Sequence, residues 1–536
     1  MNKNNIYDYV IIGAGSAGCV LANRLSVDPS VSVCVIEAGP NDHLEFIHTP
    51  GAMGIVLMNK KYDWSYDAKS DPDIRNGQPI FCPRGKTLGG SSSINGMVYV
   101  RGHYSDYDHW AELGNDGWSY DEVLPYFRKA EHNKRGADKY HGVDGPLAVS
   151  DCEFNYTISN VFIDAAKQAG MPVSDDFCGE NYEGYGAYQF TIANGRRCST
   201  AVAYLHPVMN RHNLTVLTEA DVLSIEFEGK RAVGVTVEHR GKNTSIKATR
   251  EVILSAGSYN SPQLLMLSGV GDPDELCAHG IDLVHALSGV GKNLQEHADS
   301  AILTTSHSHG GVQFSLLGML EMVGEGIEYW GAHLGKLRSS LLESGGFLKT
   351  DPSLDVPDVQ LHSLPLLFDD SGRDLRLMRR DGYSCHVCCL RPKSRGTISL
   401  ASAKPTAPPI IDHNFFSHPD DLKTMIAGVR LTRKILAAPA FDKYRKEEIH
   451  PGADKQTDEE IGQKIKEKLG IIYHPVGTCK MGNDEMAVVD SQLRVHGMEN
   501  LRVIDASIMP TLIGANTNAT AIMIAEKAAD MIRTGA

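Results

Sequence analysis

IYDYVIIGAGSAGCVLANRLSVDPSVSVCVIEAG (residues 6–39) reads as strand, glycine turn, helix and strand in succession. Asp8 to Ile12 is a short apolar run of strand length, Cys19 to Leu25 carries a helix face, and Val31 to Ile36 is a second apolar run. Between them lies Gly13-Ala14-Gly15-Ser16-Ala17-Gly18. Its glycines permit a tight turn, close approach of a pyrophosphate, and close packing of a helix whose N-terminus faces that anion. Glu37 ends the second strand, just before Ala38, where a carboxylate can accept hydrogen bonds from an adenosine ribose. The unit predicts a bound dinucleotide and leaves its identity open, because NAD and FAD share the fingerprint.

Outward from this unit, the βαβ pattern does not repeat at once. The chain passes through Gly- and Pro-punctuated segments to PRGKTLGGSSSINGMVYVRG (83–102), a long loop entering a helix. Strands are expected again at Leu214–Leu217, Val222–Phe227, Ala232–Glu238 and Glu251–Ser255, continuing the first sheet. Longer mixed segments follow from about residue 306, including the run 310–348 and the helix pattern DDLKTMIAGVRLTRKIL (420–436). NLRVIDASIMP and NTNATAIMIAEKAADMI then read as strand, turn and helix. The expected class is α/β, with a Rossmann-like nucleotide-binding domain interrupted by a second, substrate-side domain. The expected parts are 1–155, 200–305 and 465–536 for the first domain, with 156–199 and 306–464 on the substrate side.

The 536 residues exceed one ordinary core and can enclose a large cofactor. A formal charge of -14, without clustered Lys and Arg, excludes a general nucleic-acid binder. No stretch reaches the ~20 apolar residues that span a bilayer, so the expected location is the cytoplasm, with peripheral membrane attachment left open. The N-terminus runs straight into a strand, which predicts no signal peptide. Eleven scattered cysteines read as reduced core thiols. The cluster Cys385-His386-Val387-Cys388-Cys389 lies in a strand-like segment without a second ligand pair, so no metal is expected.

Five further motifs carry a resemblance: GKTLGGSSSIN (85–95), GSYNSPQLLMLSGVG (257–271), GVGKNLQEH (289–297), YHPVGTCKMG (473–482) and NLRVIDASIMP (500–510). In order and spacing they resemble the glucose-methanol-choline (GMC) oxidoreductase family over essentially the whole chain. The resemblance implies bound FAD, with Gly13, Gly15, Ser16, Ala17, Gly18, Glu37 and Ala38 at the ADP half. It places Arg84, Gly89, Gly90, Asn95, Gly96, Met97 and Val98 along the pyrophosphate and flavin, Val222 at the adenine, and Ala256 and Gly257 near the ADP. Asp505, Ala506 and Thr517 approach the pyrophosphate, ribitol and ring. Where some relatives attach the flavin through a histidine, this chain has Ile94, so a dissociable FAD is expected; His103 nearby reads as a loop residue.

The same resemblance makes His474 the catalytic base. An alcohol O–H is a weak acid, so loss of hydride from its carbon needs a base for the hydroxyl proton, and imidazole suits that task. The family's second residue, a His or Asn about forty positions on, falls on Asn518, whose amide is expected to bind the developing alkoxide. The expected reaction oxidises a primary, aliphatic alcohol and passes electrons to a quinone, a carrier or O2. Choline is the runner-up substrate, with Glu343 as the candidate carboxylate for its ammonium group. A hydroxynitrile lyase and a noncatalytic dinucleotide-binding module are the remaining alternatives.

Overall fold

Burial of the apolar runs on both faces builds the first sheet, as parallel strands covered by helices require. The computed structural model describes residues 5–153, 156–308, 310–312, 324–331, 333–369 and 372–535. β1 (Ile6–Ile12) and β2 (Val33–Ile36) flank helix α1 (Ser16–Leu25) and pair in parallel, Tyr9 opposite Val33 and Ile12 opposite Ile36. Strand Leu214–Leu217 adds in parallel outside β2. On the other side β1 pairs with Lys242–Leu254, which continues as an antiparallel meander through Arg231–His239 to Ala220–Glu228. Leu501–Val503 closes against the end of Lys242–Leu254. All four strands expected between residues 214 and 255 therefore join the first sheet, and the C-terminal strand returns to it.

The C-terminal helix, Asn518–Thr534, packs along α1, where Glu526 takes a bidentate pair from Arg24 and a hydrogen bond from Tyr204 Oη at 2.9 Å. Helix Asn518–Thr534 thus stands beside the glycine turn although it lies some five hundred residues away in the chain.

The second sheet is antiparallel, in the order Arg445–His450, Ala298–Ser306, Gly382–Cys389, Val359–Leu364, Ser344–Leu348, Gly184–Ala187. Two parts differ from the sequence expectation. Ala298–Ser306 belongs to this sheet rather than the first, and Gly470–Ile471 pairs with its start. Neither segment carries a local pattern that says which sheet recruits it. The expected helix appears as Pro419–Leu436, with Asp420 and Asp421 in its first turn and Arg433 and Lys434 in its last, both favourable to the helix dipole. The run 310–348 lies partly outside the described residues. All eleven cysteines are unpaired, and no described helix is long and apolar enough to cross a membrane.

A buried ionic network fastens residues 131–133 to the segment preceding Gly184. His141 Nε2 lies 2.9 Å from Asp176, its Nδ1 3.1 Å from Glu131, and Arg101 donates to Glu131 at 2.7 Å. Burial alone would push the His141 imidazole down, but hydrogen bonds to Asp176 and Glu131 hold it up at about 9. Because this lies above the unfolded value of 6.5, the stabilisation is complete below that pH and disappears as pH rises through 9. His141→Ala is expected to cost on the order of 3 kcal/mol near neutrality. Thermal unfolding as a function of pH checks this: the variant should lose stability in acid and converge on the parent in alkali.

Candidate active site

One cavity of about 630 Å³ runs from the end of β2, past the glycine turn, to the mouth of the second sheet. Its walls include Gly13, Gly15, Ser16, Ala17, Glu37, Ala38, Arg84, Gly90, Asn95, Gly96, Met97, Val98, Val222, Ala256, Gly257, Asp505, Ala506, Thr517, Asn518 and His474. Gly18 and Gly89 stand behind the wall, so neither touches the cavity as expected. A Cβ on Gly18 would lie 1.9 Å from the Gly13 carbonyl oxygen, so its role is to let α1 close on the turn. Gly89 has φ +85° and donates to the Ala14 carbonyl at 2.7 Å, tying the two loops together.

The chemistry of these walls fits FAD. At Gly257 a Cβ would meet no protein atom within 4 Å, since it would project into the cavity. The apolar and small-residue walls continue from the Glu37 end to Ile94, Gly96 and Val98. Glu37 Oε2 accepts from Ala14 N and Oε1 from Gly39 N, both at 2.9 Å, so the carboxyl is held at the β2 end of the trough. Asp505 accepts from Gly257 N at 2.9 Å and Ser261 Oγ at 2.6 Å, locking two loops of the wall together. Ile94 is buried among Ile47, Val56, Leu57 and Tyr62, and His103 caps the helix Tyr104–Glu112 away from the cavity.

His474 sits at the junction of the trough and the second sheet. Its backbone N–H donates to Glu296 Oε1 at 2.7 Å, and Nδ1 faces His297 Nδ1 at 3.0 Å. Arg84 donates to the carbonyl of the preceding Tyr473 at 2.8 Å, and Tyr473 itself has φ 70°, a left-handed conformation held by these contacts. Burial, reinforced by His297, His362 and Arg84, holds the His474 imidazole well below its ordinary range, so it is neutral. Burial pushes the Glu296 carboxyl up to about 8, against the pull of the Arg84 guanidinium and the two backbone N–H groups it accepts from.

The amide beside His474 belongs to Asn516, not Asn518. Asn516 Nδ2 lies 3.2 Å from His474 Nε2, and its Oδ1 accepts from Gln360 Nε2 at 3.0 Å, which turns the NH2 toward the imidazole. Asn518 accepts from Ser16 Oγ at 2.6 Å and is committed to the glycine turn. Glu343 is also corrected: it is fully buried, accepts from Ser159 and Ser339 at 2.6 Å each, and lies outside the cavity.

Sequence reading missed the polar face of the second sheet. His362 and His386 are register partners on adjacent strands, and His386 Nδ1 lies 2.7 Å from Asp299 Oδ2. All three line the cavity, with Asp369 and Lys468 beside them at 2.6 Å from one another. Cys388 also points at Asp299, and among the described residues no group of His, Cys, Asp and Glu is arranged to hold a metal ion.

The fold and cavity define a Rossmann-type flavoprotein oxidoreductase. Residues 7–299 and 392–525 match the N- and C-terminal halves of the GMC oxidoreductase family. The chain is 47% identical to "Alcohol dehydrogenase [acceptor]" of Pseudomonas putida, covering 98% of this chain and 96% of that one. It is 44% identical to "Choline dehydrogenase, mitochondrial" of Homo sapiens, covering 98% and 90%. Among solved structures it resembles pyridoxine 4-oxidase of Mesorbium loti, with TM-score 0.88 and 29% identity over 98% and 99% of the chains. Formate oxidase of Aspergillus oryzae gives TM-score 0.90 and 28% identity over 99% and 98%. The protein belongs to the GMC oxidoreductase family: it is an FAD-dependent oxidoreductase acting on CH–OH donors.

Proposed function

We propose that the protein oxidises a neutral, primary aliphatic alcohol to its aldehyde, with His474 as base, and passes the electrons to a quinone or another acceptor. The observation that carries the choice of a neutral substrate is the pairing of the two carboxylates on the second-sheet face of the cavity, beside His362 and His386. Asp299 is engaged by His386 at 2.7 Å and Asp369 by Lys468 at 2.6 Å, which leaves neither charge free for a quaternary ammonium group. Glu343, the other acid considered for that task, is outside the cavity.

In this reading His474 Nε2 takes the hydroxyl proton, and the amide of Asn516 donates to the oxygen as negative charge develops on it. Arg84, Glu296 and the buried wall keep the imidazole fixed and water-poor, so orientation rather than a new reagent lowers the barrier. FAD, when bound, supplies the hydride acceptor. With Ile94 in place of a nucleophile at the flavin side, the cofactor is dissociable and held by the trough alone.

Anaerobic mixing tests the reading: a medium-chain primary alkanol should bleach the yellow flavin at least tenfold more efficiently than choline, with a primary deuterium effect. Faster bleaching by choline would replace the substrate assignment, and a flavin that no alcohol reduces would turn the reading toward a lyase or a binding module. Comparing peroxide formation with reduction of an artificial quinone then separates oxygen from carrier as acceptor.

Cofactor affinity should depend on pH through Glu37. Burial pushes this carboxyl up to about 7 despite its two backbone donors, and ribose hydroxyls donate best to the ionised form. FAD binding is therefore expected to strengthen up to about tenfold as pH rises through that value. Titration of stripped protein with FAD checks it, and Glu37→Gln should flatten the dependence.

A further inference from the structure

We propose that His297 is a positioning residue that sets the tautomer of His474 and so leaves Nε2 of that ring bare toward the cavity. The inference rests on the reading of His474 as base and adds the device that makes it one.

The argument is a count of hydrogens along a chain of contacts. His297 Nε2 lies 3.1 Å from the Leu390 carbonyl oxygen, which can only accept, so this nitrogen carries hydrogen. The ring is fully buried, and burial pushes its imidazole down to about 3 against the pull of the Leu390 and Ile513 backbone, so it is neutral and carries one hydrogen; with that hydrogen on Nε2, where the Leu390 bond is made, Nδ1 is a lone pair. That lone pair faces His474 Nδ1 at 3.0 Å. One hydrogen must lie between the two nitrogens, and His297 has none to give. It therefore sits on Nδ1 of His474. A neutral His474 with hydrogen on Nδ1 has its second nitrogen free, and Nε2 is the atom that faces the Asn516 amide at 3.2 Å.

Backbone geometry reinforces the pair. Glu296 Oε1 accepts from the N–H of His297 at 2.9 Å and from the N–H of His474 at 2.7 Å, clamping both residues to one oxygen. His297 does not itself line the cavity, so it reaches the substrate only through His474. When the base takes its proton, the resulting imidazolium still donates Nδ1–H to a neutral acceptor. Without that acceptor the alternative tautomer, with hydrogen on Nε2, competes and blocks the proton's destination.

The test uses the FAD-loaded enzyme and flavin reduction by the best alcohol of a panel. His297→Leu should slow reduction at saturating substrate about 10²-fold, on the scale of a lost general base, with little change in substrate Kd. His297→Asn, whose Oδ1 can accept near the position of Nδ1, should recover at least tenfold of that loss. In a His474→Gln background, His297→Leu should add less than threefold, because residues acting as one unit are not additive. Multiplying losses, no recovery with Asn, or a His297→Leu enzyme that reduces normally while His474→Gln does not would each overturn the proposal. Normal reduction by His474→Gln would instead remove the base assignment, and the tautomer argument with it.

Discussion

His474→Gln is expected to give a folded, yellow protein whose flavin is reduced by alcohol at least about 10²-fold more slowly than the parent's. The backbone N–H of residue 474 still donates to Glu296 in the variant, and the glycine-turn end of the trough is untouched. What disappears is a neutral nitrogen, buried and poised below its ordinary titration range, that can receive the hydroxyl proton. Glutamine offers an amide of similar reach and no basicity. Stopped-flow reduction at saturating alcohol measures the effect, and FAD content by absorbance provides the control. Reduction within a few-fold of the parent would end the assignment.

Asn516→Ala and Asn518→Ala should separate into two different defects although the residues are two apart. Removing the Asn516 amide takes away the donor beside His474 Nε2, with an expected loss of about 10²-fold in flavin reduction, the scale of one missing oxyanion donor. Removing Asn518 breaks the 2.6 Å bond from Ser16 and should weaken FAD binding by up to about tenfold, with the loaded enzyme turning over normally. The paired measurement is reduction rate per bound flavin against FAD affinity. The reverse pattern, with Asn518→Ala slow and Asn516→Ala loosely bound, would restore the reading made from sequence.

That reading went astray for a physical reason. Asn516-Thr517-Asn518 spans the end of a loop and the first turn of the helix Asn518–Thr534, where each successive residue swings the side chain to a new direction. A motif says that an amide belongs here but not which of two amides the turn aims at the imidazole. His297 was inside a quoted motif, yet its partner lies 177 residues on, and nothing local marks the pair. Glu343 looked available in the sequence because an acid in LLESGGF carries no sign of the two serines that claim it.

The βαβ opening, the four later strands of the first sheet and the return of the C-terminus to it were legible in the residues alone, whereas the antiparallel order of three of those strands was not. Each depends on local periodicity and on glycines whose absent side chains allow one backbone to pass another. The motifs shared with the GMC family pointed to the loops along the trough, and most of the residues they named line it, Gly18 and Gly89 excepted. The surroundings of the His474 imidazole are set by tertiary contacts alone. Which groups face His474, which asparagine stands beside it, and which carboxylates are already paired depend on contacts between segments far apart in the chain. Such contacts are fixed by packing across hundreds of residues, and sequence spacing carries no record of them.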